Sequence, residues 1–519
     1  MGGEKIKIGN GVKVNARKWP HKTAVIFKGK IITYQELNTR ANRFANRLLD
    51  EGFTPGDKIC IMSENCPEFI EAAIALAKIG VAWVPVNYRF KENEAAYLAQ
   101  DANAKGFIVD STRAELIRMA VSTNGRITLN RCFVIGESVP EGMKSYHEAK
   151  LGSSPEEPTD TVDEHDLLYI GYTSGTTGKP KGAQISHRNR ILCAFIGGNL
   201  YGITKDSTTL ITPPLYHTAT MSNVLRSLYL GGRIVLLPGF DATEVLKAVE
   251  TYEIASVSMV PTMINRLIGL PQDVFKQFDL SSLKMIISGA SPLPTTSKEW
   301  ILKHLPQVKL YEFYGATEAG LITVLYPEDQ HRKVRCVGQP VIQTEIRILD
   351  EDRNDLPPGE VGEIFIKSLT TINSYHNLPE ESKACFEDEF ITLGDMGRMD
   401  EEGYLYIVDR KKEMINSGGV NIFPREIEDA IMAHTAVQEV AVIGVPDKEW
   451  GESVKAVIEL KPGSKATERE IKNFCRERIA DFKTPKSVDF VAELPKTPFG
   501  KTLKRLIRDE YWKDQEANV

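Results

Sequence analysis

The sequence predicts an α/β protein with a large N-terminal domain of α/β sheets, a small β subdomain and a compact α+β C-terminal domain. Three observations support this fold class. Helical and strand patterns alternate through the first half of the chain, and strand–helix–strand order implies parallel strands with right-handed crossovers. After Gly338, short strands are separated by Asp, Pro and Gly turns, as in a β subdomain. The final part has its own apolar helices and strands, and 519 residues exceed what one core supports. We therefore expect domains at 1–409 and 410–519.

Hydrophobic periodicity predicts the elements in order. The large domain is expected to contain helices at 41–51 and 67–78 and strands at 58–62, 80–86, 255–260, 284–288 and 309–313. The β subdomain is expected to contain strands at 345–349, 362–367 and 404–408. The C-terminal segments alternate helix, strand, strand, helix and strand, at 424–434, 437–443, 455–460, 468–479 and 487–490. Ligands of open α/β sheets bind at the carboxyl ends of strands, so the loops after these strands are the candidate site.

Composition argues against several functional classes. The net charge of −6 argues against broad binding to nucleic acids or anionic membranes. The seven cysteines are scattered without CxxC spacing, so we expect no zinc site, no disulfide framework and a reducing, cytoplasmic location. The most apolar stretch, residues 69–86, is interrupted by charges and a proline and is too polar to cross a bilayer. No stable membrane insertion is expected, and the sequence is compatible with a homodimer.

The most informative segment reads TSGTTGKPKG and begins at Thr173. Glycine lets the backbone approach an anion, hydroxyls and amides donate hydrogen bonds, and lysine supplies charge. The segment is not a Walker P-loop, because Thr173 stands where that motif needs glycine and a proline replaces its Ser/Thr. It predicts a polyphosphate-binding loop, although Gly/Ser/Thr-rich turns also occur as ordinary loops. Its candidate phosphate-binding residues are Thr173, Ser174, Gly175, Thr176, Thr177 and Lys181.

A second segment, YEFYGATEAG, begins at Tyr311 and follows a strand-like run. Tyr314 offers a flat face for a purine, and Gly315 leaves room beside it. Thr317 can donate a hydroxyl hydrogen bond, and the carboxylate of Glu318 can hold Mg²⁺. Aromatic–glycine turns at strand ends are equally common without a ligand.

Four further segments carry polar candidates. Gly289, Ala290 and Ser291 form a small-residue turn that could pass against a nucleobase, or simply be a turn. Asp395 and Arg410 are candidates for ribose hydroxyls, since a carboxylate accepts hydroxyl protons and arginine adds a planar donor fork. Lys501, after a glycine near the chain's end, places a mobile cation where a charged intermediate could be met. The ordinary alternative is a surface salt bridge for Asp395 and for Arg410, and a solvated basic tail for the segment of Lys501.

Together, in this order and at these separations, the motifs resemble the ANL superfamily of adenylate-forming enzymes. That superfamily includes acyl- and aryl-CoA synthetases, peptide-synthetase adenylation domains and beetle luciferase. The resemblance covers almost the whole chain and rests on the phosphate loop, the YGATE segment, the GD–DRKK–SGG region and the terminal PKTPFGKTLKR. The family joins a carboxylate to AMP from ATP, releases pyrophosphate, and usually transfers the acyl group to a thiol.

The resemblance implies roles around ATP. The implied β- and γ-phosphate ligands are Ser174, Thr176, Thr177 and Lys181, and the implied Mg²⁺ ligands are Thr176 and Glu318. The implied adenine site consists of Glu312, Phe313, Tyr314 and Gly315, facing Gly289, Ala290 and Ser291, with Asp395 and Arg410 on the ribose. Thr317 would contact the α-phosphate. Lys501 would reach between the substrate carboxylate and the α-phosphate.

The resemblance also implies a motion between the two half-reactions. The C-terminal domain would rotate about Lys412, and Ser417, Gly418 and Gly419 would then line a pantetheine channel. His217 resembles the family's aromatic or histidine gate beside the carboxylate, with a packed strand-end histidine as the alternative. The sequence departs from the family's usual residues at two places, and these departures put only local contacts in doubt. Leu393 stands where the family usually has Thr, and residues 367–369 lack the usual Gly-Pro.

The acid and its acceptor are less narrowly defined. The acyl pocket is expected near residues 214–217, 260–262 and 315–321, which offer neither an aspartate for a substrate ammonium nor an arginine for a second carboxylate. An apolar aliphatic or aromatic monocarboxylate is therefore expected. Coenzyme A is the expected thiol, because no carrier domain follows in this sequence. A carrier-protein-loading enzyme, a luciferase-like oxidative enzyme and a non-catalytic nucleotide-binding protein remain as alternatives.

Overall fold

The computed structural model describes residues 6–124, 127–159, 161–173, 180–418, 420–447, 449–496 and 502–513. By internal contacts the chain divides into two compact units. Unit 1 consists of Met1–Glu345 and Ile366–Ile391, and unit 2 of Ile346–Phe365 and Thr392–Val519. This division describes packing and not motion, so the boundary expected at 409/410 stays a prediction.

The helices of the described residues are α1 (Ile8–Lys18), α2 (Tyr34–Asp50), α3 (Pro67–Lys78), α4 (Glu92–Asp101), α5 (Ala114–Asn124), α6 (Tyr146–Ala149), α7 (His187–Tyr201), α8 (Thr218–Tyr229), α9 (Ala242–Tyr252), α10 (Pro261–Ile268), α11 (Gln272–Phe275), α12 (Thr295–His304), α13 (Pro379–Ala384), α14 (Pro424–Met432), α15 (Glu468–Arg476) and α16 (Lys504–Trp512). Short 3₁₀ turns lie at Leu129–Arg131, Pro327–Asp329, Lys411–Glu413 and Asp481–Lys483.

The strands are β1 (Thr23–Phe27), β2 (Lys30–Thr33), β3 (Lys58–Met62), β4 (Ala82–Pro85), β5 (Gly106–Asp110), β6 (Cys132–Ile135), β7 (Lys144–Ser145), β8 (Leu167–Thr173), β9 (Lys181–Ser186), β10 (Thr208–Ile211), β11 (Arg233–Leu236), β12 (Ser256–Met259), β13 (Met285–Ser288), β14 (Lys309–Ala316), β15 (Gly320–Leu325), β16 (Gln339–Pro340), β17 (Thr344–Leu349), β18 (Gly362–Ser368), β19 (Phe386–Glu387), β20 (Phe390–Met399), β21 (Leu405–Arg410), β22 (Ile415–Ser417), β23 (Val420–Ile422), β24 (Val437–Asp447), β25 (Gly451–Leu460) and β26 (Ser487–Val491).

Unit 1 is built on two large sheets. One has the strand order β16-β15-β14-β13-β12-β10-β11-β1-β2, and the other has the order β7-β6-β5-β3-β4-β8-β9. The central pairs β12–β13, β13–β14, β3–β4 and β3–β5 are parallel, as the strand–helix–strand order predicted. The pairs β14–β15 and β8–β9 are antiparallel. The segment that begins at Tyr311 runs through β14 to the start of β15, and Thr173 and Lys181 are the paired ends of β8 and β9.

The β subdomain predicted after Gly338 is present as a five-stranded sheet. Its order is β17-β18-β20-β19, with β21 pairing to β20. The chain passes between the two compact units within strands β17, β18 and β20. Unit 2 also contains the sheet β23-β22-β25-β24, with β26 parallel to β25, as expected for an α+β unit.

Local sequence explains where helices begin and end. Thr33 caps α2 through a capping box, in which its hydroxyl accepts from the Glu36 amide and the Glu36 carboxylate accepts from the Thr33 amide. α7 ends at Gly202, whose φ of 61° is the left-handed conformation that glycine adopts without strain. Helix α3 is buried almost throughout, which accounts for the most apolar stretch of the sequence as core and not as a membrane span. No helix of the described residues is long and apolar enough to cross a membrane.

The core of unit 1 joins strands and helices that are distant in sequence. Leu210, Val257 and Ile286 lie on adjacent strands and are at most 1% exposed. They belong to one cluster with Val245 and Val249 of helix α9. Each such side chain stabilises the fold by about 1.5–3 kcal/mol when fully buried. This packing holds the carboxyl ends of β12, β13 and β14 in register, which is where the candidate site lies.

Candidate active site

Two of the phosphate-loop candidates lie at the paired ends of strands β8 and β9. Thr173 ends β8, Lys181 begins β9, and the two residues pair directly across the antiparallel ladder. Residues 174–179, which include the candidates Ser174, Gly175, Thr176 and Thr177, lie outside the described part of the chain. Their roles as phosphate and Mg²⁺ ligands stay predictions.

Glu318 lies in the β14–β15 turn, and its position is set by two hydroxyl groups. The residue is 8% exposed. Its Oε1 atom accepts hydrogen bonds from the Thr173 Oγ1 and from the Tyr375 hydroxyl, each at 3.0 Å. The ammonium of Lys181 lies 5.6 Å from the centroid of the Tyr375 ring. The fold thus brings three predicted residues from two motifs into one cluster, which we call the Glu318 cluster: Thr173, Lys181, Glu318 and Tyr375.

Tyr375 was not predicted from the sequence. It stands in the segment SYHN before α13, more than fifty residues from Glu318, and its backbone forms an isolated antiparallel bridge with Ala183 of β9. A tyrosine in a polar turn carries no spacing signal of its own. Only the folded chain shows that its hydroxyl bonds the predicted metal ligand.

Thr317 and Thr218, the residue after His217, both approach a glycine in β8. A Cβ atom on Gly171 would lie 2.7 Å from Thr317 Cγ2 and 3.1 Å from Thr218 Oγ1, so the absence of a side chain there permits this approach. His217 precedes Thr218 at the start of α8, and its ring centroid lies 4.1 Å from that of Tyr216. Burial holds the pKa of the His217 imidazole well below its ordinary value. The ring is therefore neutral near pH 7.

The predicted adenine turn follows strand β13. A Cβ atom on Gly289 would lie 2.2 Å from Cε1 of Phe313, so the aromatic ring packs directly on this backbone. Ala290 has a φ of 68°, and Ala290 and Ser291 are exposed. The turn therefore presents its small residues outward while Phe313 supports it from the side of β14.

Glu312 forms an ion pair with a residue that sequence reasoning missed. Its Oε1 lies 2.5 Å from the ammonium of Lys298 on α12, and the two side chains are 13% and 8% exposed. Burial raises the pKa of the Glu312 carboxyl, although the ammonium of Lys298 opposes that shift. A lysine on an amphipathic helix ordinarily suggests a solvated face, so no local signal pointed to this pair.

Tyr314 and Gly315 lie inside β14, and not on a turn after it. The strand runs to Ala316, three residues beyond its predicted end at 313, because it pairs with β15 in a hairpin. The register shifts between Tyr314 and Gly315. A Cβ atom on Gly315 would lie 2.4 Å from the carbonyl oxygen of Gly320, so this position requires glycine for close backbone approach.

In unit 2, the two ribose candidates face each other. Asp395 of β20 and Arg410 of β21 are direct partners in the antiparallel ladder, and Arg410 Nε lies 2.6 Å from Asp395 Oδ1. Arg410 Nη1 also donates to the carbonyl oxygen of Leu393 at 3.1 Å. Leu393 therefore contributes its backbone carbonyl to this contact. Any residue at position 393 would supply that carbonyl, including the family's usual Thr.

The remaining candidates of unit 2 are in part described. Lys412 lies in the 3₁₀ turn that follows β21. Gly418 has a φ of 60°, and a Cβ atom on it would lie 2.4 Å from Cε3 of Trp450. Ser417 ends β22, while Gly419 and Lys501 lie outside the described residues. The indole ring of Trp450 therefore lies where a side chain at position 418 would begin.

The donor set of unit 1 fits Mg²⁺ held together with a polyphosphate. Mg²⁺ is usually bound by one or two carboxylates together with substrate phosphates. The Glu318 cluster offers one buried carboxylate, oriented by two hydroxyl groups, and a lysine whose ammonium lies over the ring of Tyr375. Thr176, the second predicted Mg²⁺ ligand, stays a prediction.

Comparison with known proteins identifies the class. The family model for AMP-binding enzymes matches residues 12–376, and that for the AMP-binding enzyme C-terminal domain matches residues 426–501. The chain therefore belongs to the AMP-binding enzyme family, which confirms the predicted ANL membership. Among curated relatives, it is 34% identical over 499 residues to a feruloyl-CoA synthase from an Amycolatopsis species, covering 96% of this chain and 97% of that one. It is 33% identical over 526 residues to a long-chain-fatty-acid–CoA ligase from Bacillus subtilis, covering 96% and 93%.

The solved structures agree on the fold. The structure of ATP-bound MatB from Rhodopseudomonas palustris is 32% identical to this chain and superposes with a TM-score of 0.86, covering 97% of this chain and 99% of that one. The likeness spans nearly the full length of both proteins. The predicted ANL fold class is confirmed.

Proposed function

We propose that the protein is an AMP-forming acid–CoA ligase. It joins a carboxylic acid to AMP from ATP with release of pyrophosphate, and then transfers the acyl group to the thiol of coenzyme A with release of AMP. The observation that carries this proposal is the Glu318 cluster, in which a buried carboxylate, two hydroxyls and a lysine from separate motifs meet. Family membership and relatives named as CoA ligases support the same assignment.

The first half-reaction has a charge problem, because a carboxylate must attack an anionic α-phosphate. One carboxylate oxygen forms a bond to phosphorus, and the bond from phosphorus to the pyrophosphate oxygen breaks. Lys181, with the hydroxyls of Ser174, Thr176 and Thr177, holds the departing β- and γ-phosphates. Preorganised cations and donors stabilise the charge that develops in such a step.

Three further groups act at the reacting atoms. Thr317 donates to the α-phosphate, and Lys501 neutralises the carboxylate and the α-phosphate together. When bound at Glu318 and Thr176, Mg²⁺ supplies further positive charge to the phosphates. Thr173 and Tyr375 orient the Glu318 carboxylate through their hydroxyls, as supporting partners of metal ligands commonly do.

The ends of the nucleotide are held by separate groups. Phe313, Tyr314 and the turn at Gly289 frame the adenine, and Glu312 is held in place by Lys298. Asp395 and Arg410 bind the ribose hydroxyls, and their ion pair fixes the arginine fork beside the carboxylate.

In the second half-reaction the thiol attacks the acyl carbonyl, and AMP leaves. We propose that the C-terminal domain pivots at Lys412 between the two steps, and that Ser417, Gly418 and Gly419 then line the pantetheine path. Trp450 approaches Gly418 so closely that a side chain at position 418 would collide with the indole ring. Glycine is therefore required at this point of the proposed path.

The proposal is tested by measuring pyrophosphate and AMP release with a panel of acids, with and without coenzyme A. AMP formation that depends on both the acid and coenzyme A supports the ligase. Pyrophosphate release that ignores coenzyme A but rises with a carrier protein supports the loading enzyme instead. No pyrophosphate release with any acid would overturn adenylation itself.

Two finer points belong to the same proposal. The scattered cysteines favour a reducing compartment, and we place the protein in the cytoplasm. The relatives named above act on an aromatic acid and on long-chain fatty acids, so those two acid classes head the panel.

A further inference from the structure

One carboxylate in unit 2 contacts both ends of the segment that contains Lys501. Residues 497–501, which we call the Lys501 segment, lie outside the described residues, but the flanking residues Lys496 and Thr502 are described. The backbones of these two residues form an antiparallel bridge. Glu439 of β24 has its Oε2 atom 2.5 Å from the Lys496 ammonium, and its Oε1 atom accepts from the Thr502 hydroxyl at 2.6 Å. A single side chain therefore uses both of its oxygens to hold the two ends of the segment.

Apolar packing anchors the chain on both sides of the same segment. Leu494, which precedes the segment, and Ile507, which follows it in α16, belong to one buried cluster with Ala441 of β24. Side chains alternate along a strand, so Glu439 lies on the same face of β24 as Ala441. The carboxylate therefore stands at the end of an apolar face that already fixes the chain on either side.

Glu439 lies opposite a second acid, and this arrangement needs a cation. Glu439 and Glu459 are direct partners in the antiparallel ladder of β24 and β25. Like charges directly opposite each other destabilise a sheet. The Lys496 ammonium lies 3.4 Å from Glu459 Oε2 and so contacts both carboxylates. Burial disfavours the charged form of Lys496, but the two carboxylates outweigh burial and raise its pKa. The cation that compensates the acidic pair therefore comes from one end of the Lys501 segment.

The exposure of this ion pair argues against a role mainly in stability. The side chains of Lys496 and Glu439 are 26% and 29% exposed, and ion pairs accessible to water contribute little to the free energy of unfolding. A role in placing the adjacent residue follows from the covalent chain. The Cα atoms of Thr502 and Lys501 are about 3.8 Å apart across their peptide bond. Holding Thr502 therefore restricts where the backbone of Lys501 can lie.

We propose that Glu439 is a positioning residue for the adenylation half-reaction, because it holds Lys496 and Thr502 and thereby places Lys501 at the reacting carboxylate and α-phosphate. This rests on the proposed function, in which Lys501 neutralises those two groups. Glu439 acts through the chain and takes no part in bond making. A misplacement of about 1 Å can cost about 100-fold in rate. Lys501 acts in adenylation, so Glu439 should matter for that half-reaction and not for thioester formation.

The test measures the two half-reactions separately in Glu439→Ala. Pyrophosphate release is followed with ferulate, palmitate or the best acid of the panel, and thioester formation with the matching acyl-AMP and coenzyme A. We expect kcat for pyrophosphate release to fall about 10–100-fold with little change in KM for ATP. Thioester formation from supplied acyl-AMP should stay close to the wild-type rate. Glu439→Gln keeps an acceptor for the Thr502 hydroxyl but loses the charge, so its adenylation rate should fall between the two.

A second variant and a double-mutant cycle distinguish positioning from a structural role. Thr502→Val loses only the hydroxyl contact with Glu439 and should show a smaller fall in the same half-reaction. In the Lys501→Ala background, Glu439→Ala should lower adenylation no further, because the group that it places is absent. A structural defect would instead add to the effect of Lys501→Ala.

Glu426→Gln is the matched control. Glu426 of α14 pairs with Lys483 at 2.6 Å, and the two side chains are 39% and 24% exposed, close to the exposure of the Glu439 pair. The control lies in the same unit and should leave both half-reactions unchanged.

Three results would overturn the inference. One is an equal fall of both half-reactions in Glu439→Ala. Another is a further fall when Glu439→Ala is added to Lys501→Ala. The third is unchanged adenylation in Glu439→Ala and Thr502→Val, with both variants shown to be folded by their thermal unfolding midpoints.

The outcomes separate this inference from the proposed function. A fully active Glu439→Ala overturns the positioning role alone and leaves the ligase intact, whereas no pyrophosphate from the wild type with any acid overturns the ligase. Hydrogen exchange then decides whether Glu439 holds the segment. The Leu503 amide donates to the Pro495 carbonyl oxygen at 2.7 Å across the ends of the segment. Its exchange should be faster in Glu439→Ala than in the wild type or Glu426→Gln, and unchanged exchange would show that Glu439 does not hold these ends.

Discussion

At the residue scale, His217 shows how burial decides protonation. The imidazole is surrounded by protein at the start of α8, and burial alone accounts for its lowered pKa. A neutral ring at this position does not attract a substrate carboxylate by charge. His217 therefore contributes to this site through the space that its ring fills, and not through charge.

The depressed pKa of His217 predicts a pH dependence of stability. The folded pKa lies below the ordinary value of 6.5, so below pH 6.5 the unfolded chain binds more protons at this site than the folded one. The free energy of unfolding should therefore fall as pH drops, by up to about 1.4 kcal/mol per pH unit from this group. Urea denaturation at pH 7.5 and pH 5.5 should show a smaller fall for His217→Gln than for the wild type. Identical falls would contradict the assignment.

Tyr375 is the residue that most needs a test, because only the fold revealed it. Tyr375→Phe removes one of the two hydroxyl donors to Glu318. Loss of such a supporting hydrogen bond typically costs about 10–100-fold in metal affinity or activity. We expect pyrophosphate release to fall by about tenfold at limiting Mg²⁺ and to recover in part at high Mg²⁺.

A matched change serves as the control for Tyr375→Phe. Tyr146 is also buried and donates to a glutamate, Glu71, at 2.9 Å. Tyr146→Phe should alter stability without altering the dependence on Mg²⁺. If the two variants responded alike to Mg²⁺, the role given to Tyr375 would be wrong.

At the element scale, the turn after β13 depends on a single missing methyl group. Gly289 packs under the Phe313 ring, whereas the neighbouring Ala290 adopts a φ of 68° that favours glycine. A methyl group at position 289 would collide with Phe313, whereas removal of the methyl group at position 290 would relieve an unfavourable backbone conformation.

This contrast predicts opposite effects from two small substitutions. Gly289→Ala should destabilise the protein by about 2 kcal/mol and weaken ATP binding, because overpacking forces Phe313 to move. Ala290→Gly should not lower stability, since it relieves the left-handed alanine. Urea midpoints and ATP titration calorimetry measure both effects. Equal ATP affinity in Gly289→Ala and the wild type would remove the turn from the nucleotide site.

Also at the element scale, secondary structure was largely predictable, and side-chain pairing was not. The predicted strands at 58–62 and 284–288 agree with β3 and β13 to within one residue, because alternating apolar residues and flanking turns specify strands locally. The strand β14 extends past its predicted end because its hairpin partner β15 supplies hydrogen bonds that local pattern does not report.

At the scale of the whole molecule, the proposed pivot makes a prediction about two half-reactions. Lys412→Pro restricts φ in the turn after β21 and should leave acyl-AMP formation largely intact while lowering thioester formation by more than about tenfold. Lys412→Ala, which keeps backbone freedom, should retain both half-reactions. The measurement is pyrophosphate release in parallel with acyl-CoA formation. A parallel loss of both activities in Lys412→Pro would show that the pivot is misplaced.

The sequence by itself determined the class of fold, the order of the motifs and the family. These depend on local properties: periodicity sets helices and strands, and glycines, hydroxyls and lysines in a fixed order specify an anion-binding loop. Only the tertiary structure decided which side chains meet. The contacts of Tyr375 with Glu318 and of Lys298 with Glu312 join residues from separate elements. Such contacts arise when sheets and helices pack, and the burial that shifts pKa values exists only after that packing.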